Sequence, residues 1–227
     1  MSDRAISLEY LSGQTTQHLV CVENNVFLHR DVAPAFARLR AAAAREDIDL
    51  VIASGFRAFE RQLLIWNDKA QGRRPVLDVH SRPMDITALT DEELVFAILR
   101  WSALPGASRH HWGTDMDVWD RAAVAPGYAL QLVPGEYAVD GPFARLGRWL
   151  ASPAVADLGF ARPYCGERGG VAPEPWHLSY LPVAQRFAWC LDVDALAQVV
   201  TACDMALKDA VLANLDDIHE RFVVGVY

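Results

Sequence analysis

Residues Ser108 to Asp120, SRHHWGTDMDVWD, crowd histidines, a glycine and alternating carboxylates into one short stretch. Neutral imidazole and carboxylate are both good zinc donors, and His110 and Asp117 converge if a turn at Gly113 leads into a short strand. Along Thr114 to Trp119 an extended chain puts Asp115, Asp117 and Trp119 on one side and Thr114, Met116 and Val118 on the other. Two donors do not make a zinc site, and a His and an Asp at this spacing also occur in ordinary loops. A third donor comes later, in Pro173 to Leu178, PEPWHL, where Glu174 and His177 sit beside a tryptophan among prolines that oppose a regular helix. A hydrolytic zinc site needs three protein donors, an open position and a carboxylate that takes a proton from water. His110, Asp117 and His177 supply the donors for one zinc per chain, and Glu174 supplies the base.

Together these stretches resemble the zinc D-alanyl-D-alanine peptidases grouped with lysostaphin and the VanX and VanY enzymes. The pattern of that family is S-x-H-x-x-G-x-x-x-D followed by E-x-W-H, and both halves stand here in that order. Upstream, Ser54 to Gln62, SGFRAFERQ, is similar to the family segment S-G-[YF]-R-[ST]-x-x-x-Q. The resemblance covers Val51 to Leu181 and implies hydrolysis of a peptide bond near D-alanine in a cell-wall peptide. It places Arg57 where a fixed guanidinium stabilises the oxyanion of the transition state. Gln62 then orients either that arginine or the substrate, and Ser108 either touches substrate or caps a turn.

Asp115 departs from the family, which carries a small or apolar residue there. It either accepts a hydrogen bond from a ligand imidazole or meets a cationic group on substrate, and it is carried forward with Ser108 and Gln62 as a substrate-binding residue. His111 is the rival ligand; adjacent to His110, it is expected to point elsewhere. His80 has no partner at ligand spacing, and Cys165 is at most a stray ligand.

The elements that position these residues follow from pattern. Asn24 and Asn25 mark a turn between short extended pieces. A helix opens near Asp31, tolerates Pro34 in its first turn, buries Phe36 and Leu39 and runs to about Glu46. The apolar run Leu50 to Ala53 is a strand that delivers Ser54 and Arg57, followed by a helix closing at Gly72. Thr90 and Glu93 form a capping box for a helix that breaks at Pro105 and Gly106. Tyr128 to Val133 is expected as a strand, then a Pro-Gly turn and a helix near Phe143 to Ala151 with Trp149 and Leu150 inward. LGFARPY and PWHLSYL are further strands around a glycine-rich loop, Gly166 to Gly170, that lacks a phosphate-binding pattern. Val193 to Phe222 gives one or two amphipathic helices that either cover the core or form a dimer contact. The expected fold is α+β in one domain over residues 1–227: a small, mainly antiparallel sheet bearing the zinc site, flanked by helices, with a core at about 31–185 and a helical extension at about 190–227.

Composition narrows the function. Hydrophobic residues make up 52% of the 227 and charged residues 22%, without repeats or low-complexity runs, which excludes disordered and solenoid chains. A net charge of −8 with no dense Lys/Arg patch offers no footing for nucleic acid or an anionic membrane. The N-terminus lacks a signal-peptide pattern and the four cysteines lack C-x-x-C spacing, so a cytoplasmic location with reduced thiols is expected. In that compartment a D-alanine-releasing enzyme is best matched to recycled tetrapeptides, as an L,D-carboxypeptidase. The alternatives are a D,D-carboxypeptidase or dipeptidase and, in another class, a non-catalytic zinc-stabilised module that binds cell-wall peptide. Oligomeric state is left open.

Overall fold

The computed structural model describes residues 6–166 and 169–224. The first five residues of the stretch read for a leader and residues 167–168 of the glycine-rich loop lie outside them.

After a single turn of helix, α1 (Leu8–Leu11), the chain forms a hairpin of β1 (Leu19–Glu23) and β2 (Val26–His29). Asn24 and Asn25 close it at φ 37° and 66°, the left-handed geometry that asparagine tolerates. Helix α2 (Ala33–Ala44) accepts Pro34 in its first turn and buries Phe36 and Leu39. Then come β3 (Leu50–Ser54), α3 (Phe59–Ala70) and α4 (Asp91–Leu99), the last opened by the Thr90–Glu93 capping box.

The main sheet has four antiparallel strands in the order β3-β4-β6-β5, with β4 (Asp115–Asp120) and β6 (His177–Tyr180) central and β5 (Phe160–Ala161) at one edge. Register sorts its two faces. Asp117 pairs with His177 and Asp115 with Ser179, while Met116 pairs with Leu178. Met116, Val118 and Leu178 are wholly buried in the core, so the period-two alternation turns the polar set to the opposite face. A register shift between Ile52 and Ser54 brings Ser54 opposite Asp117.

Tyr128 to Val133 forms no strand. The Glu136 carboxylate accepts from the Tyr128 hydroxyl at 2.8 Å and from the backbone N–H groups of Gln131 and Val133 at 3.1 and 3.3 Å. Those two N–H groups are what a ladder would have used, and Leu132 at φ 52° breaks the extended run. Pro134 and Gly135 begin a one-turn helix, α5 (Pro134–Tyr137), and α6 (Ala144–Leu150) buries Leu146 and Leu150 while Trp149 is half-buried. Helix α7 (Pro153–Asp157) leads into β5, which takes only two residues of LGFARPY.

Beyond α8 (Leu181–Ala188) the chain forms α9 (Val193–Ala202), α10 (Lys208–Ala213), α11 (Leu215–Ile218) and a π-type turn, His219–Val224. This tail covers α3. Trp66 donates its indole N–H to the Ala206 carbonyl at 2.9 Å, and the Asn67 amide bonds the backbone at Asp204 and Ala206. One cluster of buried apolar side chains runs from Leu11 to Phe222, and the architecture is α+β. No described helix is long and apolar enough to cross a membrane.

Candidate active site

The turn that launches β4 depends on two glycines. Residues Arg109–Trp112 make a 3-10 turn ended by Gly113 at φ +67, where a Cβ would lie 2.7 Å from Leu19 Cδ2 and 2.8 Å from the His29 nitrogen. Gly55 passes so close to the β hairpin that a Cβ would sit 2.7 Å from the Phe27 carbonyl oxygen. These close approaches place the Gly55 carbonyl within 2.8 Å of His110 Nδ1. A carbonyl only accepts, so Nδ1 carries the proton and Nε2 is left as the donor atom, 3.4 Å from Asp117 Oδ2.

His177 is oriented in the opposite sense. Its Nε2–H donates to Asp115 Oδ1 at 3.0 Å, and its Nδ1 faces Asp117 Oδ1 at 3.2 Å and Glu174 Oε2 at 3.4 Å. A turn closed by the His177 N–H on the Glu174 carbonyl brings both side chains of PEPWHL to one point. Without a cation the three carboxylates hold the His177 imidazole protonated well above its usual range, against burial that opposes the charge. The same imidazoles hold Asp117 far below the carboxylate range despite its burial.

His110, Asp117 and His177 are all buried, and one donor atom from each lies within 4.8 Å of the others. Among the described residues Asp117 Oδ1 and His177 Nδ1 are buried with no hydrogen-bond partner. Unsatisfied oxygen and nitrogen donors facing one point, each imidazole fixed by a bond through its other nitrogen, fit a divalent ion of the zinc type.

Around this set a cleft is lined by Arg57, Ser108, Tyr164, Glu174 and Lys69. Arg57 is tied in place from several sides. Its guanidinium donates to Gln62 Oε1 at 2.9 Å and to Ser54 Oγ at 3.1 Å, and its backbone N–H bonds the His110 carbonyl at 3.0 Å. Gln62 is fully buried and spends its amide on the Ala103 carbonyl at 2.6 Å, so it orients the arginine and does not line the cleft. Ser108 begins the 3-10 turn without capping it through its side chain, and lines the cleft.

Of the two roles expected for Asp115, the structure shows the bond to the His177 imidazole; the carboxylate is 0% exposed and does not line the cleft, in place of the expected contact with a substrate cation. Its oxygens accept from His177, from Arg109 Nε at 2.7 Å, from Thr114 Oγ1 at 2.6 Å and from Ser179 Oγ at 3.2 Å. Burial pushes the acid up, but Arg109, His177 and Thr114 outweigh it and hold it at about 2. His111 is likewise no ligand. Its Nδ1–H donates to the Arg57 carbonyl at 2.6 Å and its Nε2 accepts from the Gly106 N–H at 3.1 Å, while burial pushes it down to about 3 and keeps it neutral. Cys165 and His80 are exposed. Sequence reading did not single out Arg109, Tyr164 or Lys69, which line the cleft. Only Arg109 left a signal, as a cation inside the first motif.

Residues 25–183 match the sequence profile of the family described as VanY, D-alanyl-D-alanine carboxypeptidase. The chain belongs to that family. As a member it is a zinc metallopeptidase, and the His110, Asp117 and His177 set is its candidate metal centre. An uncharacterised protein of Haemophilus influenzae is 33% identical over 123 residues, 53% of this chain and 93% of its own. Among solved structures, VanYB in complex with D-alanine-D-alanine shares 22% identity at a TM-score of 0.53, covering 84% of this chain and 92% of that one. The LdcB LD-carboxypeptidase shares 21% at 0.52, covering 87% and 79%. At these identities the two share the VanY-family fold with this chain.

Proposed function

We propose that this protein removes the C-terminal D-alanine of peptidoglycan-derived peptides, acting as an L,D-carboxypeptidase on recycled tetrapeptides in the cytoplasm. The catalytic body is residues 31–185, with the helices beyond about 190 as its cover. The observation that carries the peptidase part of the reading is the convergence of Glu174 and Arg57 on the cleft that holds the three donor atoms, while the L,D preference follows from the expected compartment. A zinc-stabilised binding module needs neither residue there. A second reading, a D,D-carboxypeptidase or dipeptidase, is favoured by the family description itself.

His110, Asp117 and His177 hold the ion, which when bound supplies Lewis acidity toward water and the scissile carbonyl. Glu174 takes the proton of the attacking water and returns it to the leaving amine, which departs as D-alanine. Arg57, pinned by Gln62 and Ser54, presents its guanidinium to the oxygen on which charge develops, so its contribution is larger in the transition state than in the ground state. Ser108, on the cleft wall, offers a hydroxyl to the peptide backbone.

The test incubates zinc-loaded protein separately with tetrapeptide, pentapeptide and free D-Ala-D-Ala and follows D-alanine release by mass spectrometry. Release from the tetrapeptide is expected; release only from the other two would move the assignment to the second reading. Glu174→Gln should keep zinc and bound peptide while losing roughly 10²–10⁴-fold in turnover. Turnover near wild type in that variant would remove Glu174 from the chemistry.

A further inference from the structure

Helix α3 presents Gln62, Trp66 and Lys69 at the spacing of one inward stripe. Gln62 and Trp66 are fully buried, the first holding Arg57 and the second the C-terminal tail. Lys69, two turns or about 10 Å beyond Gln62, reaches the wall of the active-site cleft. A half-buried ammonium ordinarily takes a carboxylate partner. The nearest acid in sequence, Asp68, is already claimed by Arg73 at 2.8 Å and Arg74 at 3.2 Å. Glu174 exerts a favourable field on Lys69 without forming an ion pair with it. Among the described residues Lys69 thus keeps its three donors unspent, facing the space that a peptide must fill.

We propose that Lys69 is a specificity-determining residue that binds, from the cleft wall, a carboxylate beside the scissile bond of the peptide substrate. The proposal rests on the peptidase reading above. Arg57 has its guanidinium directed by Gln62 and Ser54, which leaves Lys69 as a second, separate cation for an acidic group. Of the carboxylates on a D-alanine-terminated wall peptide, the two nearest the scissile bond are its C-terminal carboxylate and the side-chain carboxylate of a diamino acid. Burial and the charge of Arg74 push the Lys69 ammonium down to about 8, partly opposed by Glu174, so it remains mainly charged at neutral pH and is cheaply desolvated.

The experiment measures peptide binding by calorimetry to zinc-loaded Glu174→Gln protein and to the same protein carrying Lys69→Met, which keeps the aliphatic stem. Three tetrapeptides are compared: unmodified, amidated at the C-terminus, and amidated on the diamino-acid side chain. Lys69→Met should weaken binding of the unmodified peptide at least tenfold. For whichever peptide has lost the recognised carboxylate the same substitution should have no effect, and that arm identifies the source. Lys69→Arg should restore part of the loss. Equal binding with and without Lys69, or an equal loss across all three peptides, overturns the proposal, since a purely structural lysine or one that tunes Glu174 does not discriminate among them. Peptide binding that discriminates in this way without D-alanine release by wild type would overturn the peptidase reading and leave Lys69 standing. Failure of every peptide to bind would overturn both.

Discussion

His177 Nε2 donates to Asp115 Oδ1 at 3.0 Å, and this one bond decides which nitrogen of His177 faces the metal centre. Asp115 is itself fixed by Arg109, Thr114 and Ser179, so the imidazole is held by a buried network anchored on β4, β6 and the 3-10 turn.

Asp115→Asn should therefore weaken zinc binding by about 10- to 100-fold, with KM at saturating zinc little changed. Asp115→Ala also removes the buried carboxylate that accepts from Arg109 at 2.7 Å and should cost about 3–5 kcal/mol of stability. Metal competition titrations and urea unfolding measure the two effects. A large KM change with intact zinc affinity would return Asp115 to substrate recognition.

His110→Ala and His177→Ala should each lose stoichiometric zinc by elemental analysis. His111→Ala should keep it and lose about 1–3 kcal/mol of stability, because the Gly106 N–H and the Arg57 carbonyl are left unbonded. The reverse result, zinc lost with His111 and kept without His110, would put the ligand register one residue off.

On the proposed mechanism Gln62 acts through Arg57. Gln62→Met keeps the volume and removes the acceptor at 2.9 Å, so kcat should fall roughly tenfold with a smaller change in KM, the loss then lying in the transition state. An unchanged kcat would show that Ser54 and the backbone alone hold the guanidinium.

His18 predicts an acid-sensitive N-terminal region. It is 3% exposed, stacked on Tyr10 with ring centroids 3.7 Å apart, and neither ring nitrogen has a hydrogen-bond partner among the described residues. Burial, with the charges of His29 and Arg30, pushes it from 6.5 to about 4. Between those values the unfolded chain binds more protons than the folded one, so stability rises with pH there and is lost as pH falls from about 6.5 through 4, by up to about 3 kcal/mol. Urea midpoints from pH 7 to 4 should show that decline, and His18→Phe should flatten it. An equally steep decline in His18→Phe would assign the loss to other groups.

The sequence by itself marked the candidate donor set and the proposed base and determined the fold class, because each rests on local pattern. His110, Asp117, Glu174 and His177 lie in two short motifs, period two fixes which β4 side chains share a face, and caps, prolines and paired asparagines mark the elements. What only tertiary structure decided depends on pairing between distant segments. Asp115 pairs with Ser179, 64 residues away, and so belongs to a buried ion network; sequence left it equally able to face substrate. Tyr128 to Val133 is extended by propensity, yet Glu136 captures its N–H groups. The tail covers α3 because Trp66 finds the Ala206 carbonyl 140 residues on. Lys69 reads in sequence as one more solvated helix lysine; folding turns its stripe inward and spends Asp68 on two arginines, which leaves a cation in the cleft.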